Sequence, residues 1–167
     1  MHARRSGLTA RRTTAAIAIA ALAVALAACD DIAGRGGGRL SKDGYIDRAN
    51  KICETSKAEA GQIAAPSLAD PIAVEQAVAQ AHAIQRRAFR KLRELEPPAR
   101  DEPAVKQWLK AVGGAVEQME AVRRGLASGN RRAITVATEK GAAFTSDAED
   151  FADAYGIEEC STSSETQ

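Results

Sequence analysis

Few side chains in this chain can do chemistry. There are three cysteines, Cys29, Cys53 and Cys160, and two histidines, His2 and His82. No CxxC pair occurs, and no histidine lies near Cys53 or Cys160, so neither thiol stands at metal-ligand spacing. His82 is alone in an alanine-rich periodic segment, and its imidazole is expected on a polar helix face rather than as a haem or metal ligand. The Glu-x-x-His pair of di-iron bundles does not occur. Nor is there a Gly-x-Ser-x-Gly elbow, a P-loop or a dinucleotide fingerprint. Gly36-Gly37-Gly38 follows no strand. Asp147, Asp150 and Asp153 lack the loop that calcium requires. A catalytic cysteine would need a free thiol close to His82. The expectation is a protein with no catalytic residue, metal or cofactor.

The elements that carry these residues follow from composition and period. The chain is 167 residues long, 45% hydrophobic and only 4% aromatic, a size that fits one domain. Its apolar residues are mostly alanine, which favours helices over sheets. Helix 1 is expected from about Lys42 to Ala64, capped by Ser41 or Asp43, with an inner stripe of Tyr45, Ala49, Ile52, Cys53, Ser56, Ala60 and Ile63. Asp70-Pro71 opens helix 2, an N-cap followed by proline at the first position, and Pro97-Pro98 stops it after about Leu95. Asp101 is expected to cap helix 3, with Glu102 and Pro103 in its first turn, and Gly129 to end it. Asn130 caps helix 4, and Gly156-Ile157 reads as a glycine stop with an apolar residue folding back. Four helices of similar length with short connections predict an all-α, antiparallel up-down-up-down four-helix bundle over 42–160. Residues 161–167 hold no apolar side chain and are expected to be disordered.

Up-down topology gathers Tyr45, Phe89, Trp108, Phe151 and Tyr155 at one pole, together with Cys160 and, more loosely, Cys53. The rings read as a plug that thickens an alanine core, with a small apolar ligand pocket among them as the alternative. The same pole carries a basic run, Arg86, Arg87, Arg90, Lys91 and Arg93, and an acidic run from Asp147 to Glu159. Both read as solvated faces, the basic one with anionic headgroups or cell-wall polymer as a candidate contact. Gly113-Gly114 and Gly141 fall at one level of helices 3 and 4. They predict close backbone approach, or else a kink at Gly113-Gly114.

The first residues have a different character. Arg4, Arg5, Arg11 and Arg12 precede the uncharged run Thr14 to Ala28, which is short for a membrane span and meets Cys29-Asp30-Asp31 at once. Residues 1–28 read as a secretory signal peptide, with a retained N-terminal anchor as the alternative. Thr13-Thr14-Ala15 after Arg11-Arg12 fits the general secretory route better than the twin-arginine one. Of 23 basic and 22 acidic residues, those four arginines fall within the leader, so the remainder is net acidic and poorly suited to nucleic acid. Residues 29–41, with Gly34 and Gly36 to Gly38, read as a flexible tether about 20 Å long.

Leu26-Ala27-Ala28-Cys29 resembles the lipobox of bacterial lipoproteins at all four places. The resemblance implies diacylglyceryl transfer to the Cys29 sulfur, cleavage before Cys29, and attachment at the outer face of the cytoplasmic membrane. Two acyl chains suffice for stable anchoring. Lipidation would consume Cys29 and leave Cys53 and Cys160 in an oxidising compartment, where a disulfide is the default, with a metal site or two free thiols as alternatives. Such a bridge closes a loop of 107 residues, which chain entropy values at about 4–5 kcal/mol as an upper figure.

The mature chain also resembles small alanine-rich lipoproteins of high-GC Gram-positive bacteria (actinobacteria). They share a glycine tether, a cysteine in the first helix, a Pro-Pro turn after the second and a Tyr-Gly-x-x-x-Cys ending, here Tyr155 to Cys160. That resemblance implies location and fold but no activity. The expected function is a non-catalytic binding module held at the cell envelope, with an envelope protein as partner. The alternative is a carrier of a small apolar ligand or cofactor at the aromatic pole.

Overall fold

A computed structural model describes residues 38–161. Cys29, the leader 1–28, tether residues 29–37 and tail residues 162–167 lie outside the described residues. The described part is all-helical: α1 Lys42–Ala60, α2 Pro71–Arg93, α3 Glu102–Ala127, α4 Arg131–Tyr155, and a 3-10 turn Glu158–Cys160. The four helices form an antiparallel bundle, and the Cys53–Cys160 disulfide closes it with Cα atoms 5.1 Å apart. None of the described helices is long and apolar enough to cross a membrane.

Local chemistry accounts for the helix ends. Ser41 Oγ accepts from Gly44 N at 3.1 Å, and Asp70 Oδ1 accepts from Ile72 N and Ala73 N at 3.0 and 3.1 Å. Asn130 Oδ1 accepts from Ala133 N at 3.0 Å. α1 stops at Ala60, short of the predicted Ala64. Gln62 and Ile63 donate to Glu59 O and Ala60 O in tightened i→i−3 bonds, and Pro66 disfavours helix just before it. Gly156 takes φ +94° and Ile157 N donates to Ala152 O at 2.8 Å, which folds the fully buried Ile157 back onto the core.

Three further expectations change. Asp101 begins α3 without capping it: its backbone is already helical (φ −95°, ψ −10°), and its Oδ2 instead accepts from Tyr155 Oη at 2.8 Å. The tether ends before Arg39. Leu40 N donates to Glu96 O at 2.9 Å, and Arg39 pairs with Glu102 at 2.7 Å, because the α2–α3 turn offers free carbonyls and a carboxylate there. Ser161 belongs to the folded part rather than the tail. It is 1% exposed, and Lys57 Nζ donates to its carbonyl at 3.2 Å.

α3 and α4 share the most extensive interface, α2 packs on α3, and α1 packs on α2 and on the 3-10 turn. Rings of α4 and α2 seat in notches on α3, Phe144 at Gly114 and Phe89 at Gly113, while at Gly125 α3 approaches the Ile134 backbone of α4 closely. A Cβ at Gly114 would lie 2.7 Å from the Phe144 ring, and one at Gly113 would lie 2.9 Å from Phe89. At Gly141 a Cβ would meet only Gln118 Cβ, at 3.4 Å, so the glycines do not face each other as predicted. The main core gathers Tyr45, Ala49, Leu92, Val105, Trp108, Ala111, Ala148, Ala152 and Ile157 at the disulfide pole.

Candidate functional site

Helix register brings four of the five predicted rings together. Trp108 from α3 stacks on Phe151 from α4 with centroids 5.7 Å apart, and Phe151 stacks on Tyr155 at 5.2 Å. Tyr45 from α1 meets Tyr155 edge-on at 6.1 Å. Lys42 Nζ sits 4.5 Å over the Tyr155 ring. Phe89 stands apart. It fills the Gly113 notch, with the Arg93 guanidinium 5.7 Å over its ring. The pole is thus filled by four rings, Trp108, Phe151 and Tyr155 stacked and Tyr45 edge-on to Tyr155. Burial pushes the Tyr45 hydroxyl far up, and burial with the Asp101 hydrogen bond pushes Tyr155 up to about 12, so both stay protonated. The Tyr45 Oη and Trp108 Nε1 are buried without a hydrogen-bond partner.

The disulfide side of this pole is knitted to α1. Glu159 N donates to Asn50 Oδ1 at 3.0 Å, and Lys57 Nζ reaches Glu159 Oε2 at 3.5 Å. Below the clasp lies a cavity of about 210 Å³. Trp108 and Phe89 line it, with alanines and valines of α2, α3 and α4, while Tyr45, Phe151 and Tyr155 do not. The open space thus begins where the ring stack ends. Small side chains such as Ala88, Ala115 and Ala148 leave it unfilled.

A second concavity, a groove of about 830 Å³, runs between α2 and α3 and holds a polar network missed from the sequence. His82 is 7% exposed, so it faces inward rather than lying on a polar face. Its Nδ1 is 3.3 Å from Glu120 Oε2. Arg123 donates twice to Glu120, each bond 2.8 Å, and reaches Glu75 at 3.8 Å. The Arg123 hydrogen bonds hold the Glu120 carboxyl down to about 2, and burial lowers His82, which outweighs the attraction of Glu120. A carboxylate that acidic is a poor general base, and a neutral imidazole beside it acts as a structural partner. The signal was present as Glu75 and His82 seven residues apart and Glu120 and Arg123 three apart. The pairing across helices depends on axial register, which spacing does not give.

The basic run is exposed and splits among roles. Arg86 lines the groove, and Arg87 pairs with Glu59 at 2.6 Å across α1 and α2. Arg93 covers Phe89, while Arg90 and Lys91 face solvent. Among the described residues, no three His, Cys, Asp or Glu side chains group as a metal site. No known protein family, curated protein or solved structure matches the chain.

Proposed function

We propose that the chain is a membrane-anchored lipoprotein, tethered through acyl groups on Cys29 at the outer face of the cytoplasmic membrane, whose bundle is a non-catalytic binding module for another envelope component. The observation that carries this reading is cysteine parity. With Cys53 and Cys160 joined, the one cysteine left over is Cys29, at the end of the lipobox-like Leu26 to Cys29. A disulfide also suits an exported protein. The fastening of Arg39 and Leu40 beside the α2–α3 turn leaves ten residues between Cys29 and the folded part, a tether of at most about 35 Å. Intact mass of protein extracted from its own membrane tests the anchor. A chain beginning at Cys29 with added diacylglycerol is expected, and a full-length, unmodified, water-soluble chain overturns the reading. Anionic vesicles test the surface. Reversal of Arg86, Arg90 and Arg93 to Glu is expected to weaken binding of unlipidated protein at least tenfold at low salt.

A second reading, a carrier of a small apolar ligand, draws its support from the cavity of about 210 Å³ beside the disulfide.

A further inference from the structure

The end of the bundle opposite the disulfide combines exposed apolar side chains with cations that lack partners. Leu68 and Ile72 are 91% and 67% exposed. An ordered turn presents Leu68. Asp70 N donates to Ser67 O at 3.0 Å, Ala69 N donates to Ser67 Oγ at 3.4 Å, and Asp70 then caps α2. Ile72 lies three residues before Glu75, so the two share a face of α2. Glu75 is 3.8 Å from Arg123, so that face turns toward the end of α3.

The α3–α4 hairpin occupies the same end and reverses tightly. Asn130 N donates to Gly125 O at 2.9 Å, Gly129 takes φ +63°, and a Cβ at Gly125 would lie 3.2 Å from Ile134 N. Arg124 and Arg131 therefore stand on either side of one backbone hydrogen bond, with Arg132 beside them, and all three are exposed. Arg123 is neutralised by Glu120 and Glu75. Among the described residues no carboxylate forms an ion pair with Arg124, Arg131 or Arg132. Arg124 adds only a longer-range pull on Glu120. The first turn of α4 has no acidic residue, so Arg131 and Arg132 face a helix dipole that repels cations. An external anion would relieve what the chain itself leaves unrelieved.

We propose that this tip docks on an anionic lipid bilayer, with Leu68 and Ile72 entering the interface and Arg124, Arg131 and Arg132 meeting lipid phosphates. The inference rests on the binding-module reading and names a partner for one end of the bundle. Charge complementarity selects an anionic partner. Shape selects a bilayer: a projecting leucine needs a matching pocket on a protein, whereas disordered acyl chains admit it anywhere. A soluble phosphate polymer would satisfy the arginines and leave both apolar side chains in water. A tether of at most about 35 Å is close to the length of α3, about 39 Å for 26 residues, so an anchored bundle can lean until its tip meets the same bilayer.

The test places an environment-sensitive dye on the full chain carrying Cys29→Ser, through Leu68→Cys at the tip or Gln107→Cys, an exposed site at the ring pole. Local labels report the tip however the rest of the chain is held. On phosphatidylglycerol vesicles the label at 68 is expected to shift to the blue and to be quenched by quencher-bearing lipid. The label at 107 is expected to stay in water, as are both labels on phosphatidylcholine. Arg131→Glu with Arg132→Glu is expected to raise the half-saturating lipid concentration at 68 at least tenfold. Ile72→Asp, at an exposed site where an acid suits the helix end, is expected to raise it at least threefold. Circular dichroism checks that each variant keeps its helices. A label at 68 that stays in water on phosphatidylglycerol, equal shifts at 68 and 107, or indifference to the arginine reversals overturns the proposal. Binding of soluble polyphosphate through Arg131 and Arg132, with 68 still in water on vesicles, overturns it in favour of a phosphate polymer. Each of these results leaves the binding-module reading to its own test at Arg86, Arg90 and Arg93.

Discussion

The two ends of the bundle are stabilised in different ways. At the disulfide pole the chain returns on itself: Gly156 reverses it, Ile157 plugs the core, and Cys160 is bonded to Cys53. Four rings pack together there, three of them stacked, and even the segment before α1 is fastened, through Arg39 and Leu40. At the opposite end α1 has already stopped. Leu68 and Ile72 are 91% and 67% exposed, and Val74, Val78, Met119, Val122 and Ile134 are only half-buried. An alanine-rich chain has too little apolar volume to fill both ends. Large side chains and a covalent link are concentrated at one pole, and the other is closed only by the α3–α4 pair and the α2–α3 groove.

Three measurements would sharpen or break that contrast. The largest effect is expected from Cys53→Ala with Cys160→Ala, which removes up to about 4–5 kcal/mol of chain-entropy stabilisation. Chemical denaturation should show it, and hydrogen exchange should show α1 losing protection before α3 and α4. Uniform loss of protection across all four helices would refute the separation of the ends.

Next comes a pair of identical changes. Gly114→Ala drives a Cβ to within 2.7 Å of Phe144 and is expected to cost about 1–3 kcal/mol, although alanine is the better helix former. Gly141→Ala meets only Gln118 Cβ at 3.4 Å and is expected to stabilise by up to about 1 kcal/mol. Thermal midpoints of the two variants should move in opposite directions. Equal shifts would deny that the α3 notch is specific to a ring.

The smallest effect belongs to the groove. His82 has a lowered folded-state pKa, so the unfolded chain binds its proton more readily, and stability present above about pH 6.5 is lost as pH falls. Glu120 is held to about 2, so its contribution is present above the ordinary carboxylate range and is lost between about pH 4.5 and 2. Both act in the same direction. Calorimetry should show the midpoint declining from pH 7 to 5, and His82→Gln should flatten that step while leaving the acid step below pH 4.5.

Much of the fold was legible because it is written locally. Ser41, Asp70 and Asn130 cap the helices they precede, and Gly156-Ile157 ends α4, all through bonds spanning six residues or fewer. The Cys53–Cys160 pairing was expected from parity on the reading that Cys29 carries the lipid. The site was less so. Tyr45, Trp108, Phe151 and Tyr155 meet at the predicted pole, but Phe89 lies one notch away on Gly113, and the cavity adjoins the ring stack without being lined by most of it. Arg39 and Ser161 look like linker and tail by composition, and only their distant partners, Glu102 and Lys57, fix them.

The amino-acid order alone determined which segments are helical and where they stop. Those properties depend on a period of 3.6 residues and on contacts within a turn or two. The tertiary structure decided which glycine receives which ring, that Asp101 serves Tyr155 rather than its own helix, that His82 turns inward to Glu120, and that a cavity remains under the clasp. Each of these depends on the axial register of one helix against another. A shift of a single turn, about 5.4 Å, would exchange every partner while leaving the local signals unchanged.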